Sequence, residues 1–206
     1  EDRVRTELMR DEGQRQNALT ASTSLADFLA HLDLLVEVRP PEGGEWGRVA
    51  QLTQKTNQFN LSLRRRSLAE VQAFQGPVLV LKASDRFGDY GLVGATVLRP
   101  AGPVWELDSL LMSCRALGRG IEDAFLHVIG GMASRQGAKA LAAPYVEGLR
   151  NSQVLSFLAR AGFGEGEGQV WTLPLDPLPP LPEHIRLKIQ SENGPTKRPQ
   201  TRTSKA

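Results

Sequence analysis

The chain has 206 residues with 40% hydrophobic and 23% charged side chains and a formal charge of +2 at pH 7, the make-up of one ordinary globular domain with a real core. No apolar run approaches the ~18–20 residues a membrane-crossing helix needs and no signal-peptide pattern is present, so the expected location is the cytoplasm. The single cysteine, Cys114, excludes an internal disulfide or a cysteine-rich zinc site, and His31, His127 and His184 are too scattered to predict a metal site.

Residues 1–20 carry nine charges and few apolar side chains, which predicts a polar helix or linker. Because the chain opens on Glu1, it is expected to be a piece of a longer polypeptide. Ser24 ahead of Leu25, Phe28, Leu29 and Leu32 predicts a capped helix, and Leu34 to Arg39 a strand stopped by Pro40-Pro41. A second helix is expected from Arg48 to about Thr56, followed by an extended run through Phe59, Leu61 and Leu63. The basic triplet Arg64, Arg65, Arg66 reads as a solvated face or as a contact for an acidic partner such as a carrier protein. Ser67-Leu-Ala-Glu70 is a capping box that starts a short helix.

Three strands follow, at Val78–Ala83, Leu92–Leu98 and Trp105–Met112, with a glycine-bearing hairpin turn over Asp85–Gly91. A helix from Gly118 or Arg119 to Arg135, a strand at Leu141–Pro144, a helix from Asn151 to Arg160 and a strand at Val170–Leu173 complete the pattern. The stretch from Pro174 onward holds seven of the thirteen prolines and six Lys or Arg against three Asp or Glu. It is expected to be a linker or disordered. The basic excess lies in that tail, so the body carries no nucleic-acid footprint.

The segment Leu110-Leu-Met-Ser-Cys-Arg-Ala-Leu-Gly-Arg-Gly-Ile-Glu122 runs from a strand through glycines into a helix. Backbone N–H groups there, with Arg115 and Arg119, can cradle a pyrophosphate or a phosphopantetheine arm. Close packing alone is the other reading of such a turn. Cys114 stands at the strand end beside Arg115, a setting that favours a nucleophilic thiolate; a buried structural thiol is its alternative. In a three-strand antiparallel meander the Asp85–Gly91 turn falls near Cys114. Arg86 could then bind a phosphate or carboxylate, and Asp85 could orient Arg86 or accept a proton. A plain turn is the alternative.

The order strand, Arg115-x-x-Gly118-x-Gly120, helix, strand, helix from Asn151 resembles the GNAT acyltransferase fold. That resemblance implies an α/β domain over about residues 21–173, with a mixed, mostly antiparallel sheet flanked by helices and splayed where the acyl arm enters. It maps Arg115, Gly118, Arg119 and Gly120 to the phosphate loop, and Asn151 and Phe157 to the pantetheine arm of coenzyme A or of a carrier. It puts Asp108 where an acidic general base stands, and Asn57 and Asn60 on the acceptor side of the cleft. Asp108 as an ordinary strand carboxylate, Phe157 as a core residue, and the two asparagines in capping or turns remain open.

Three segments taken together, Gln51–Leu61, Asp85–Gly94 and Ser113–Glu122, resemble the C-terminal half of the FkbH-like proteins of polyketide biosynthesis. Those proteins supply three-carbon units made from 1,3-bisphosphoglycerate, and usually join a HAD phosphatase domain to a GNAT-like one. The resemblance implies a glyceryl group passing through an enzyme thiol, here Cys114, to the phosphopantetheine of an acyl carrier protein. The Asp-x-Asp-x-Thr motif of the phosphatase is absent from the sequence, so either a phosphatase domain has been cut away or the chain works without one. The rivals are an acyl-CoA-dependent N-acyltransferase and a non-catalytic carrier-docking domain.

Overall fold

The computed structural model describes residues 2–190. Among them, nine strands form one sheet: β1 Leu34–Arg39, β2 Phe59–Asn60, β3 Val78–Asp85, β4 Gly88–Arg99, β5 Val104–Met112, β6 Ala140–Pro144, β7 Gly164–Glu165, β8 Val170–Pro174 and β9 Ile185–Ile189. Their order is β7-β8-β6-β5-β4-β3-β1-β9, with β2 added on the end of β5. Pairing is antiparallel except at β5–β6 and β1–β9. The expected mixed, mostly antiparallel sheet is therefore present, and β3-β4-β5 is the expected meander.

Six helices flank it: α1 Asp2–Ala21, α2 Leu25–His31, α3 Glu45–Lys55, α4 Leu68–Ala73, α5 Ile121–Arg135 and α6 Ser152–Arg160. Trp46, Val49 and Leu52 of α3 and Val71 of α4 close one face over Val80, Ala95, Val97 and Leu111. Phe28, Phe125, Ile129 and Phe157 pack the other face against Val36, Leu81, Leu107 and Met112. The predicted caps form: the Ser24 hydroxyl accepts the Asp27 N–H at 3.0 Å, and Ser67 and Glu70 make a reciprocal capping box.

Three expectations are corrected. Helix α3 begins at Glu45 rather than Arg48, because Glu45 binds Arg39 at 2.7 and 2.8 Å and Trp46 is buried. The run from Phe59 is a strand for only two residues; the Asn60 side-chain amide oxygen then accepts the Leu63 N–H at 2.9 Å and turns the chain. The segment from Pro174 to Gln190 is not a disordered linker. Leu175 and Ile185 are buried, β9 pairs with β1, and the His184 ring nitrogen contacts the Arg119 carbonyl at 2.8 Å. The rest of the basic tail lies outside the described residues. Among the described residues no helix is long and apolar enough to cross a membrane.

Helix α1 is charged on most faces, and ion pairs dock it. Arg15 is almost fully buried and holds Asp85 at 2.7 and 3.0 Å, while Glu12 reaches Arg119 at 3.1 Å.

Candidate functional site

Cys114 is exposed and opens a short 3-10 turn, Cys114–Ala116, just past the end of β5. It lines two open clefts. One, of about 370 Å³, lies toward α3 and includes Arg48, Lys55, Gln58 and Arg150. The other, of about 440 Å³, lies toward α6 and includes Phe59, Gly118, Glu122, Phe157 and Arg160. Gln58 faces the first cleft and its neighbour Phe59 the second, so this segment is a wall between them. The thiol is the shared point.

That wall fills the opening between β5 and β6. These strands pair only over Val104–Glu106 and Ala140–Ala142 and then part. The expected splay exists, but the chain itself occupies it. Phe59 and Asn60 pair with Met112 and Leu111, the Leu61 N–H donates to Leu110, and the Leu61 carbonyl accepts the Val146 N–H at 3.0 Å. Asn151 fastens the wall. Its amide donates to the carbonyls of Asn60 and Val146, both at 2.9 Å, and its oxygen accepts from Gly148 and Tyr145. With both donors and both lone pairs used and the side chain buried, Asn151 has no capacity left for an arm. Asn60 is likewise consumed, donating to Thr56 while accepting from Leu63. Asn57 stays exposed on the cleft rim, where its oxygen accepts from Arg65 at 2.6 Å.

Neither sequence-assigned carboxylate faces Cys114. Asp108 is the extra residue of a bulge, between the pairs Val97–Ser109 and Leu98–Leu107. Its side chain is fully buried and ion-paired with Arg64, Arg66 and Arg99, the last at 2.7 Å. Arg65 also turns inward, to the carbonyls of Thr53 and Gln54. Of the basic triplet only Arg66 is buried; Arg64 and Arg65 stay exposed, as a solvated face requires, while their tips also brace the chain. Asp85 accepts from Arg15, Tyr90, Phe87 and Gly88. Burial alone would raise its pKa, but the bonds from Arg15, Tyr90 and Phe87 outweigh burial and hold it below the ordinary carboxylate value. A carboxylate so held is a poor proton acceptor. Arg86 donates to the His31 carbonyl at 3.2 Å and lines a different hollow beside α2, so it reaches neither cleft.

In the glycine loop, Gly118 and Gly120 both have φ of +77°, which side chains other than glycine adopt with strain. A Cβ on Gly120 would also press on His184 and Pro182 at 3.2 Å. Arg119 bends back to the Arg115 carbonyl at 2.7 Å and across to Glu12. The Gly118 N–H already has an acceptor in Glu122 at 3.3 Å. Glu122 escaped the sequence reading. It is buried, one of its oxygens has no partner, and burial raises its pKa. Among the described residues no three His, Cys, Asp or Glu side chains gather as a metal site requires.

No protein-family model matches the chain, and no curated protein does. Solved structures do match. N-acetylglutamate synthase from Neisseria gonorrhoeae, complexed with coenzyme A and N-acetyl-glutamate, superposes with a TM-score of 0.52 at 18% identity, over 68% of this chain and 35% of that one. A candidate acetyltransferase of the GNAT family from Desulfovibrio desulfuricans gives 0.52 at 15% identity, over 68% of this chain and 99% of that one. The fold is that of the GNAT acyltransferases. A domain from Methanocaldococcus jannaschii gives 0.54 at 12% identity, over 68% and 97%.

The α6-side cleft is lined by apolar and polar side chains together. Phe59, Leu117 and Phe157 give an apolar floor, and Gln153, Ser156 and Arg160 a polar rim. Phe157 serves both readings made of it. It is 3% exposed and stacks edge-on with Phe59 at 5.3 Å, yet it lines the cleft. In the glycine loop expected to bind phosphate, the Gly118 N–H and the Arg119 guanidinium already have protein partners.

Proposed function

We propose that this chain is an acyltransferase in which Cys114 carries the acyl group between a donor and the phosphopantetheine thiol of an acyl carrier protein. The observation that carries this reading is the position of Cys114, exposed where the two clefts meet, while Asp108 is buried among three arginines. The Cys114 sulfur attacks the acyl carbon of a thioester or acyl phosphate. A new S–C bond forms, and the donor leaves as thiolate or phosphate. The carrier thiol, entering along Phe157, then attacks the Cys114 thioester, and Cys114 leaves as the thiolate. Glu122, which lines that cleft and has one buried oxygen without a partner, is the candidate to take the incoming thiol's proton.

The FkbH-like resemblance makes a glyceryl or related three-carbon group the favoured cargo. An arm ending in one phosphate also asks less of the half-filled glycine loop than the diphosphate of coenzyme A. Direct transfer from acyl-CoA to an amine is the second reading, supported by the fold; it lacks a free base at Asp108.

Intact mass after incubation with acyl donors and a phosphopantetheinylated carrier tests this. The expected result is an acyl adduct on the protein that is absent from Cys114→Ala, together with transfer that stops in that variant. Transfer that survives Cys114→Ala would overturn the covalent route.

A further inference from the structure

The α3-side cleft has a charge pattern that the acyl-transfer reading does not explain. Its wall carries Arg48, Lys55 and Arg150, and no acidic side chain lines it. None of the three has an ion-pair partner among the described residues, whereas Arg15, Arg39, Arg64, Arg66, Arg99, Arg119 and Arg160 all have one. Arg48 bonds only the neutral Gln51. Arg115, also without a carboxylate, stands close behind, and burial together with its charge lowers the Arg48 pKa. Arg65 and Arg86 also lack a carboxylate, but they donate to backbone carbonyls, whereas here several cations without a carboxylate line one cleft. Such a concentration is costly unless something negative completes it. Arg48, Gln51 and Lys55 share one face of α3 by their spacing, and Arg150 approaches from the loop before α6.

We propose that this cleft is a binding site for a small phosphate-class oxyanion, held by Arg48, Lys55 and Arg150 beside the Cys114 thiol. The site deepens the acyl-transfer reading and rests on it for its purpose. It gives the acyl donor a phosphate next to, or one short carbon chain away from, the carbon that Cys114 attacks. Arginine suits this by presenting paired N–H donors to phosphate oxygens. Asn57 and Gln58 on the same rim can hydrogen-bond polar substituents of the group between phosphate and thiol.

The test uses alkylation of Cys114, the only cysteine, and needs no acyl donor. Rates with anionic iodoacetate and neutral iodoacetamide are followed by intact mass at low ionic strength. The cleft should favour iodoacetate by roughly tenfold relative to a free model thiol. Arg48→Gln combined with Lys55→Gln and Arg150→Gln should abolish that preference, and Arg86→Gln should leave it intact. Millimolar inorganic phosphate should slow iodoacetate labelling more than acetate or chloride at matched ionic strength. Thermal melting of each variant checks that it folds, and Arg150→Gln alone, at an exposed loop position, provides a mild version. An iodoacetate preference that survives the triple substitution, or protection by phosphate no better than by chloride, overturns the site. An acyl adduct without anion preference would sink this site and leave the covalent route standing. Anion preference without any adduct would do the reverse.

Discussion

Asp108 lies in the middle of β5 and Cys114 two residues past its end, and the arginines around them are arranged in opposite ways. Around Asp108, Arg64, Arg66 and Arg99 converge on one buried carboxylate, and Ser109 takes a further Arg66 N–H at 2.7 Å. Beside Cys114, Arg48, Lys55 and Arg150 line an open cleft. The first group is closed, its charges spent on holding β4, β5 and the 64–66 segment together. The second leaves its charge unspent and faces a reactive atom. Proteins tolerate unneutralised charge of this kind mainly where function requires it. The contrast therefore separates scaffold from site more sharply than residue type does, since arginine does both jobs.

Asp108→Asn tests the closed cluster and should have the largest effect. Removing one partner of a buried ion cluster strands the others, at a cost of about 3 kcal/mol, read as a lower urea midpoint. A shift near zero would show that apolar packing, not the carboxylate, holds this part of β5. Asp85→Asn should cost somewhat less, about 2 kcal/mol, because Tyr90 and the backbone can still bond an amide. Its signature is faster hydrogen exchange in α1. The Asp85 pKa is depressed from its ordinary 3.8, so its stabilisation is complete above that pH and is lost as pH falls through the folded value. The wild type should therefore loosen α1 in acid, and Asp85→Asn should remove that dependence.

Gln51→Glu brings a carboxylate to the open group. Beside Arg48 it should change stability by less than about 1 kcal/mol, yet remove the iodoacetate preference of Cys114. Preference retained in that variant would mean that Arg48 does not set the field at the thiol. The smallest effect is expected on the other cleft. The Glu122 pKa is raised above 4.5 by burial, so the fold favours the neutral form, and ionisation costs stability as pH rises through the folded value. Glu122→Gln should raise the melting temperature slightly at pH 7 and leave it unchanged near pH 4.

Much of the scaffold was legible because it is local. The meander, the capping box at Ser67 and Glu70, and the glycine loop each announce themselves within about ten residues. The partners of the charged groups were not, because Arg15 and Asp85 lie 70 residues apart and Arg66 and Asp108 lie 42 apart. Nothing in a linear pattern says which arginine neutralises which aspartate. Two misses did leave signals. Ile185, Leu187 and Ile189 alternate as a strand should, but the prolines before them pointed to a linker. Arg48, Gln51, Leu52 and Lys55 carry the i, i+3, i+4, i+7 spacing of one helix face, which a predicted helix from Arg48 to Thr56 does not by itself mark as a cleft wall. Asn151 misled because its place after β6 invites a ligand role, while all four of its hydrogen bonds serve the chain.

The wall formed by Gln58 to Leu61 has a kinetic consequence. It separates the two clefts, with Cys114 as the only residue shared by both linings. On the proposed route the two substrates never need to meet, and the donor's leaving group can depart before the carrier arrives. Double-reciprocal plots against either substrate should then be parallel, and intersecting lines would mean that the wall opens during turnover.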